Sequence, residues 1–520
     1  MYKYLICISH FIPVQLYSFF VSIVHYIIME KKTSEKNPSI EQFEDIQATD
    51  KHDLEDLTLQ KKLTQTLVKK LDRRLLPLLC ILYLLSYIDR SNIGNAKLGG
   101  LMEDLNLTSQ QYQWALSIFY FSYVIFDLPS NIIMRRWRPS YWLAILMFLW
   151  GVVATAMAAS KNFAGIAVSR FFLGVFEAGF FPGVIYFLSV WYTRQEYGRR
   201  ISFFWSFSSL AGSLGGIIAY GISQISNDTL QTWQWLFIIE GAPSVILAAF
   251  SAWYLPNKPE TAKFLTNEER EFAVKRLEND AGASNDHSWS WAQVTSVFTD
   301  WKTYIYMLIY ITGTSALQGV TLFLPSIIAG MGTWSKPAAQ ALTTPPYFLA
   351  FLVTVAIGWS SDKYFERAYH MVAINTVGLV GFLLLMFLPS TNVAGNYVSA
   401  CLVTISVYAN VAVKVAWFNN NYGGLTRRAV ASAAIVSVGT IGGAIGGQIY
   451  YDPPHYFAGN AIAFSCLAAQ TLLVILMRLL LARENKRRTR LTEEQRELEI
   501  HKYGGTELVG DRHYSYVYVL

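Results

Sequence analysis

Charged side chains are scarce: Asp, Glu, Lys and Arg make up 15% of 520 residues, against 53% hydrophobic and 15% aromatic ones. So little charge over such a length excludes a string of soluble domains. Cysteine is scarcer still. The four present, Cys7, Cys80, Cys401 and Cys466, show no paired spacing and three lie in apolar stretches, which argues against a disulfide framework or a metal site and leaves them as packing residues. No glycine-rich nucleotide loop, zinc spacing or Ser-His-Asp arrangement stands out, and the eight histidines are scattered. Neither enzymatic chemistry nor a cofactor is expected, no metal is expected, and an ion gradient is left as the energy source.

Long apolar runs fill the space that charge leaves. About twelve stretches of bilayer-spanning length lie between Leu75 and Ala482. They fall at 75–97, 113–134, 140–160, 163–192, 201–224, 234–255, 303–330, 340–360, 370–389, 396–418, 429–450 and 459–482. Irregular backbone and open sheets cannot cross lipid, so the fold class is an all-α polytopic membrane bundle. The expected organisation is an apolar extension at 1–28, a polar segment at 29–74, a six-helix bundle at 75–255, a central loop at 256–300, a second six-helix bundle at 301–482 and a tail at 483–520.

The net charge of +6 does not point to nucleic acid, because the basic residues sit in alternate short loops. Arg135, Arg136 and Arg138 follow the second span, Arg194, Arg199 and Arg200 the fourth, Lys363 and Arg367 the eighth, and Arg427 and Arg428 the tenth; the other loops hold only Lys97, Lys161 and Lys336. By the positive-inside rule those basic loops, and both ends of the twelve-helix core, are cytoplasmic. Two N-glycosylation triplets, at Asn106 and Asn227, fall in loops that this topology puts outside. Residues Tyr4 to Ile28 carry no Asp, Glu, Lys or Arg and no small-residue cleavage pattern follows them, so an upstream extension with translation starting at Met29 is preferred over a signal peptide or an extra anchor. Lys69, Lys70, Arg73 and Arg74, at the end of the polar segment, are expected against anionic headgroups.

The two sets of six spans echo each other. The fifth contains "AGSLGGIIAYG" and the eleventh "VGTIGGAIGGQIYY", and the second and eighth end in "DLPSNIIMRRWRP" and "GWSSDKYFERAYH". Six plus six with matching halves is the plan of rocking-bundle transporters, whose substrate site lies between halves near the midplane.

Several motifs in order strengthen that reading: "YIDRSNIGNA", "SRFFLGVFEAGFFPGVIYFLSVWYTRQEYGRR", "WQWLFIIEGAPS", "LTTPPY", "GWSSDK" and "WFNNNYGGLTRRA". Together they resemble the anion:cation symporters of the major facilitator superfamily, in particular the fungal vitamin and allantoate permeases, with nicotinate permeases the most similar. The resemblance covers nearly all of the chain from Leu75 to Arg483. It implies proton-coupled import of a small organic anion across the plasma membrane. A more distant resemblance to vesicular glutamate transporters implies that Arg90 binds the substrate carboxylate and that Arg170 and Glu177 couple protons. The seventh span lacks the second basic residue of that relative.

An ionised group near the bilayer centre costs roughly 2.5–3.5 kcal/mol on insertion scales, so intramembrane charges mark sites. On one helix, Tyr83, Tyr87, Arg90 and Gly94 share a stripe, and Asp89 points about 100° from Arg90, so the two cannot form one tight pair. Arg90 with Tyr87 and Tyr83 makes a cationic, aromatic surface suited to a carboxylate. Asn92 and Asn95 occupy other faces as packing or gating residues. Arg170 and Glu177, about two turns apart on the fourth span, fall in the same layer, so Arg170 joins the substrate surface and either Asp89 or Glu177 carries the proton. A fixed Arg170–Glu177 ion pair, or Asp89 as a helix anchor, is the structural alternative.

Glu240 reads first as structural, and Lys414 either serves the site or snorkels to the surface. Gly174 and Gly179 are close-packing residues, and Pro182, Pro345 and Pro346 are expected to bend helices. Asp362 with Lys363 and Arg367 is a gate contact or a solvated turn. The expected function is a secondary importer of a nicotinate-like carboxylate with protons, monomeric in the lipid bilayer, against an allantoate, pantothenate or other carboxylate permease, or a nutrient sensor on the same fold.

Overall fold

The computed structural model describes residues 51–225, 229–281, 291–423, 425–453, 455–502 and 510–520. The 1–28 extension, a start at Met29, Cys7, the Asn227 triplet and the side chains of Arg135, Arg136, Arg194 and Arg199 lie outside the described residues. Residues 69–520 form one compact unit, and the helical stretch 51–68 belongs to another.

The long helices are α1 (Lys51–Leu98), α2 (Ser109–Arg136), α3 (Pro139–Ala156), α4 (Phe163–Glu177), α5 (Phe180–Ser189), α6 (Arg194–Ile222) and α7 (Thr232–Tyr254). Two linker helices follow, α8 (Asn267–Ala281) and α9 (Trp291–Phe298). The second set is α10 (Trp301–Ala329), α11 (Thr344–Tyr364), α12 (Ala368–Phe387), α13 (Val393–Asn420), α14 (Leu425–Gly446) and α15 (Phe457–Arg488), with α16 (Glu493–Lys502) in the tail. Ten segments among the described residues are long and apolar enough to cross a membrane, with α4 and α5 counted as one. The remaining two spans, in α1 and α2, carry the buried Asp89, Asn92, Asn95 and Asp127.

The halves repeat one packing scheme. In the first, α2 packs on α4 and α3 on α7; in the second, α11 packs on α13 and α12 on α15. Between the halves α6 meets α11 and α2 meets α14, the crossed pairing that two related bundles produce. Small residues set these distances. A Cβ at Gly174 would overlap Ser122 Oγ and the Phe119 carbonyl, and one at Gly179 would overlap Ser130 Oγ, so α4 lies directly against α2. One at Gly94 would stand 2.7 Å from the Leu322 carbonyl, across the two halves.

Several expectations change. The boundary at residue 74 falls inside α1, which runs unbroken through Pro77. Lys70 and Arg74 face protein, not headgroups: Lys70 pairs with Glu269 at 2.6 Å, and the Arg74 guanidinium lies 3.5 Å from the centre of the Tyr254 ring. The central segment is no plain loop, because α8 binds the first half through Arg276–Glu196 at 2.8 Å. Pro345 and Pro346 sit in the first turn of α11, where no amide is missed, so they start that helix and do not bend it. The fourth span does break, between Glu177 and Phe180, one turn before the position of Pro182.

The tail is built into the second half. Asp511 binds Lys302 at 2.6 Å and Arg427 at 3.1 Å, and Arg427 also pairs with Asp300. Burial opposes ionisation of Asp511, but Lys302 and Arg427 outweigh it and hold the carboxyl below its usual range. The Tyr518 hydroxyl accepts from Lys302 and Arg488, and the Leu520 carbonyl accepts the Arg367 amide at 2.6 Å. Asp362 pairs with Arg367 at 2.6 Å within this assembly.

Candidate functional site

At the end away from the linker helices the halves are closed on each other. Gln340 Nε2 donates to the Asn95 carbonyl at 3.1 Å, Gln113 Nε2 to the Tyr450 carbonyl at 3.4 Å, and Lys97 lies over Tyr112 and Phe323 from opposite halves. Deeper in, the contact becomes a chain of hydroxyls. Tyr408 donates to Tyr87 at 3.2 Å, Thr321 and Tyr408 share a bond of 2.9 Å, Tyr347 donates to the Thr321 carbonyl, and Tyr120 donates to Gln318 at 2.7 Å.

Below this layer stands Arg90. Its Nε and a terminal nitrogen both donate to Glu177 Oε1, at 3.0 and 2.7 Å, and Ser86 Oγ adds a third bond at 2.6 Å. The guanidinium lies 5.2–5.6 Å from the ring centres of Tyr87, Phe119 and Tyr123. Its side chain keeps 11% exposure while Glu177 has 1%, so the cation, not its acid, is the accessible partner. The pair joins α1 to α4 just where α4 ends.

Arg170 does something else. It is buried, and it donates to the Arg90 carbonyl at 3.1 Å and to Asn92 Oδ1 at 3.5 Å. It forms no ion pair with Glu177 by geometry, because Glu177 has turned to Arg90. Arg170 thus grips the backbone of α1 at the residue whose side chain is presented to the interface. Asp89 faces away from Arg90, as the helical spacing requires, and accepts from Ser244 Oγ on α7 at 2.8 Å. Glu240 is buried beside it with neither oxygen partnered. Tyr83 packs in an aromatic cluster inside the first half, stacked on Phe204 with ring centres 4.4 Å apart.

Lys414 differs most from expectation. It does not snorkel: at 1% exposure its ammonium is buried without a hydrogen-bond partner, 4.1 Å from the centre of the Tyr310 ring. An unpaired buried ammonium costs several kcal/mol.

A family model described as Major Facilitator Superfamily matches residues 79–447. The chain belongs to that superfamily. It is 35% identical over 428 residues to MFS transporter prlL of a fungal species (strain NRRL 50135), covering 81% of this chain and 86% of that one. It is 35% identical over 467 residues to an uncharacterized transporter of Schizosaccharomyces pombe, covering 90% and 95%. Among solved structures, the xylose transporter XylE from E. coli in a partially occluded inward open conformation superposes with a TM-score of 0.59 at 12% identity, over 76% of this chain and 96% of that one, a likeness of fold alone. The protein is a multi-pass membrane transporter of the major facilitator fold.

Within that fold, sequence reasoning missed Ser86, Tyr120, Tyr123, Gln318, Thr321, Tyr347 and Tyr408. Most are single hydroxyls in apolar helices, where a side chain bonding its own backbone one turn back looks the same in sequence as one facing a partner. The four-residue spacing of Glu240 and Ser244 on α7 was a usable signal of a polar face, and it went unread.

Proposed function

We propose that the protein imports a small organic monocarboxylate, nicotinate-like, together with a proton. The observation that carries the reading is the Arg90–Glu177 pair, an accessible guanidinium held on a single acid at the interface between halves. An incoming carboxylate offers two oxygens to a guanidinium that Glu177 holds through Oε1 alone, and competes for Arg90. Tyr87, Phe119 and Tyr123 give a flat anion a ring-lined seat, and Lys414 supplies a second cation from the other half.

An anion added to this layer raises the proton affinity of the acids in it, which couples its binding to a proton. The basic loops support a cytoplasmic linker end and an external closed end. Resemblance to vitamin permeases supports nicotinate over allantoate or pantothenate, and a plasma-membrane location. Asp362 and Arg367 are read as a brace for the cytoplasmic end of the second half, and Gly174, Gly179 and Pro182 as the packing and the break that position Glu177. The test is uptake of a labelled carboxylate panel at two external pH values in permease-deficient cells. Acid-stimulated uptake of nicotinate above the others is expected; pH-independent uptake of every member would refute symport, and binding without exchange in proteoliposomes would leave a sensor.

A further inference from the structure

Glu240 is a buried acid with the Asn92 side chain beside it. Both its oxygens are enclosed and unpartnered, at 3% exposure for the residue. Ser244, one turn later on the same face of α7, donates to Asp89 Oδ2 at 2.8 Å, which brings Glu240 and Asp89 to one buried pocket. Asn92 Nδ2 stands beside Glu240 and Trp150 Nε1 beside Asp89, neither at full hydrogen-bond geometry, and Arg170 Nε is buried without a partner.

The charges facing this pocket do not balance two ionised acids. From α4 come Arg170 and Glu177, from α1 Arg90, from α3 only the Trp150 indole, and from α7 Glu240 itself. Glu177 is taken by Arg90 and Ser86, which leaves Arg170 as the one cation for both remaining carboxyls, and its bonds go to a carbonyl and an amide. Two acids this close in a low-dielectric interior cannot both ionise.

We propose that Asp89 and Glu240 form a carboxyl pair holding one shared proton, and that this pair is the proton-binding site of the transport cycle. The proposal deepens the symport reading and rests on it. It leaves Glu177 ionised on Arg90. It also gives the coupling a physical basis. With one proton on the pair, the three cations Arg90, Arg170 and Lys414 face one charge from the pair and one from Glu177, and an anion beside Lys414 evens the count among these groups. Losing the proton while the anion is bound would leave two ionised acids side by side. Asp127, one turn from Tyr123 on α2, has Asn131 and Ser437 on its carboxylate.

Infrared spectra of the purified, lipid-reconstituted protein at neutral pH test the pair without a substrate. A protonated-carboxyl band is expected in the wild type, lost in Glu240→Gln and lost equally in Asp89→Asn, because the remaining acid ionises against Arg170. A band that survives in either variant assigns the proton to one residue alone and overturns the shared pair. In vesicles with an imposed pH gradient, accumulation of labelled nicotinate should fall at least tenfold in Glu240→Gln and lose its dependence on pH. Glu240→Asp, which keeps the carboxyl, should retain that dependence with a shifted midpoint, and serves if the glutamine variant fails to fold. Wild-type pH dependence in Glu240→Gln, or wild-type uptake driven by sodium and not by pH, overturns the proposal. Wild-type uptake indifferent to pH refutes symport itself, whatever the infrared result.

Discussion

Two buried ionic clusters sit in this protein, and they differ in how completely they are satisfied. At the linker end of the second half, Lys302, Arg427 and Arg488 meet Asp300, Asp511, Tyr518 and tail carbonyls, and every charge has an opposite charge or a set of acceptors, with Arg427 Nε alone of the cluster's side-chain atoms left open. At membrane depth, Glu240, Lys414, Asn92 Nδ2 and Asp89 Oδ1 are left without partners. Buried polar groups that are fully bonded hold a structure together, and those left open are kept for something that comes and goes. The tail cluster is a clasp; the mid-membrane cluster is the proposed site.

The largest effect expected from breaking that contrast is at Arg90. Arg90→Ala should abolish uptake, and Arg90→Lys should weaken it by about tenfold or more, since a charge-assisted bond worth about 1.5–3 kcal/mol is lost. Surface expression and uptake measured on the same cells check this, and unchanged affinity in the lysine variant would remove Arg90 from the site. Lys414→Gln should raise the half-saturating substrate concentration by about tenfold and leave the melting temperature equal or higher, because an uncompensated buried charge is removed. A large loss of thermal stability without a change in affinity would make Lys414 structural.

The clasp should respond in the opposite sense. Asp511→Ala strips both Lys302 and Arg427 of a partner and should cost about 3 kcal/mol of stability, read by thermal unfolding in detergent, while transport affinity is unchanged in the folded fraction. Its pH dependence follows from the sign of the shift. The Asp511 carboxyl is held below its ordinary value of about 4, so its contribution is complete above that pH and is lost as pH falls through the lower folded value. Unfolding midpoints of the wild type and Asp511→Ala should therefore converge at the acid end. The smallest effect is expected at the half-exposed Lys70–Glu269 bridge, where Lys70→Ala should change stability by less than about 1 kcal/mol.

How much of this was legible in sequence varies with the kind of feature. The apolar runs set the number of spans, because bilayer thickness fixes their length, and the echo of glycine-rich fifth and eleventh spans announced two related halves. Helical geometry separated Asp89 from Arg90 without a structure. The partners were out of reach: Arg170 and Glu177 share a stripe seven residues apart, yet Glu177 bonds Arg90 on another helix, a choice made by the close approach of α4 to α2 and α1. Lys414 looked free to reach water because its stem is long; only the packing of α13 against α10 shows its ammonium enclosed over Tyr310.

By itself the sequence determined what crosses the membrane, which residue types lie at depth and which of them one helix turns to the same side, since these follow from local hydrophobicity and a fixed helical repeat. Which charge meets which was decided only by tertiary structure. Ion pairs form across helices, and the distances that make or leave them open are set by the packing of small residues far apart in the chain.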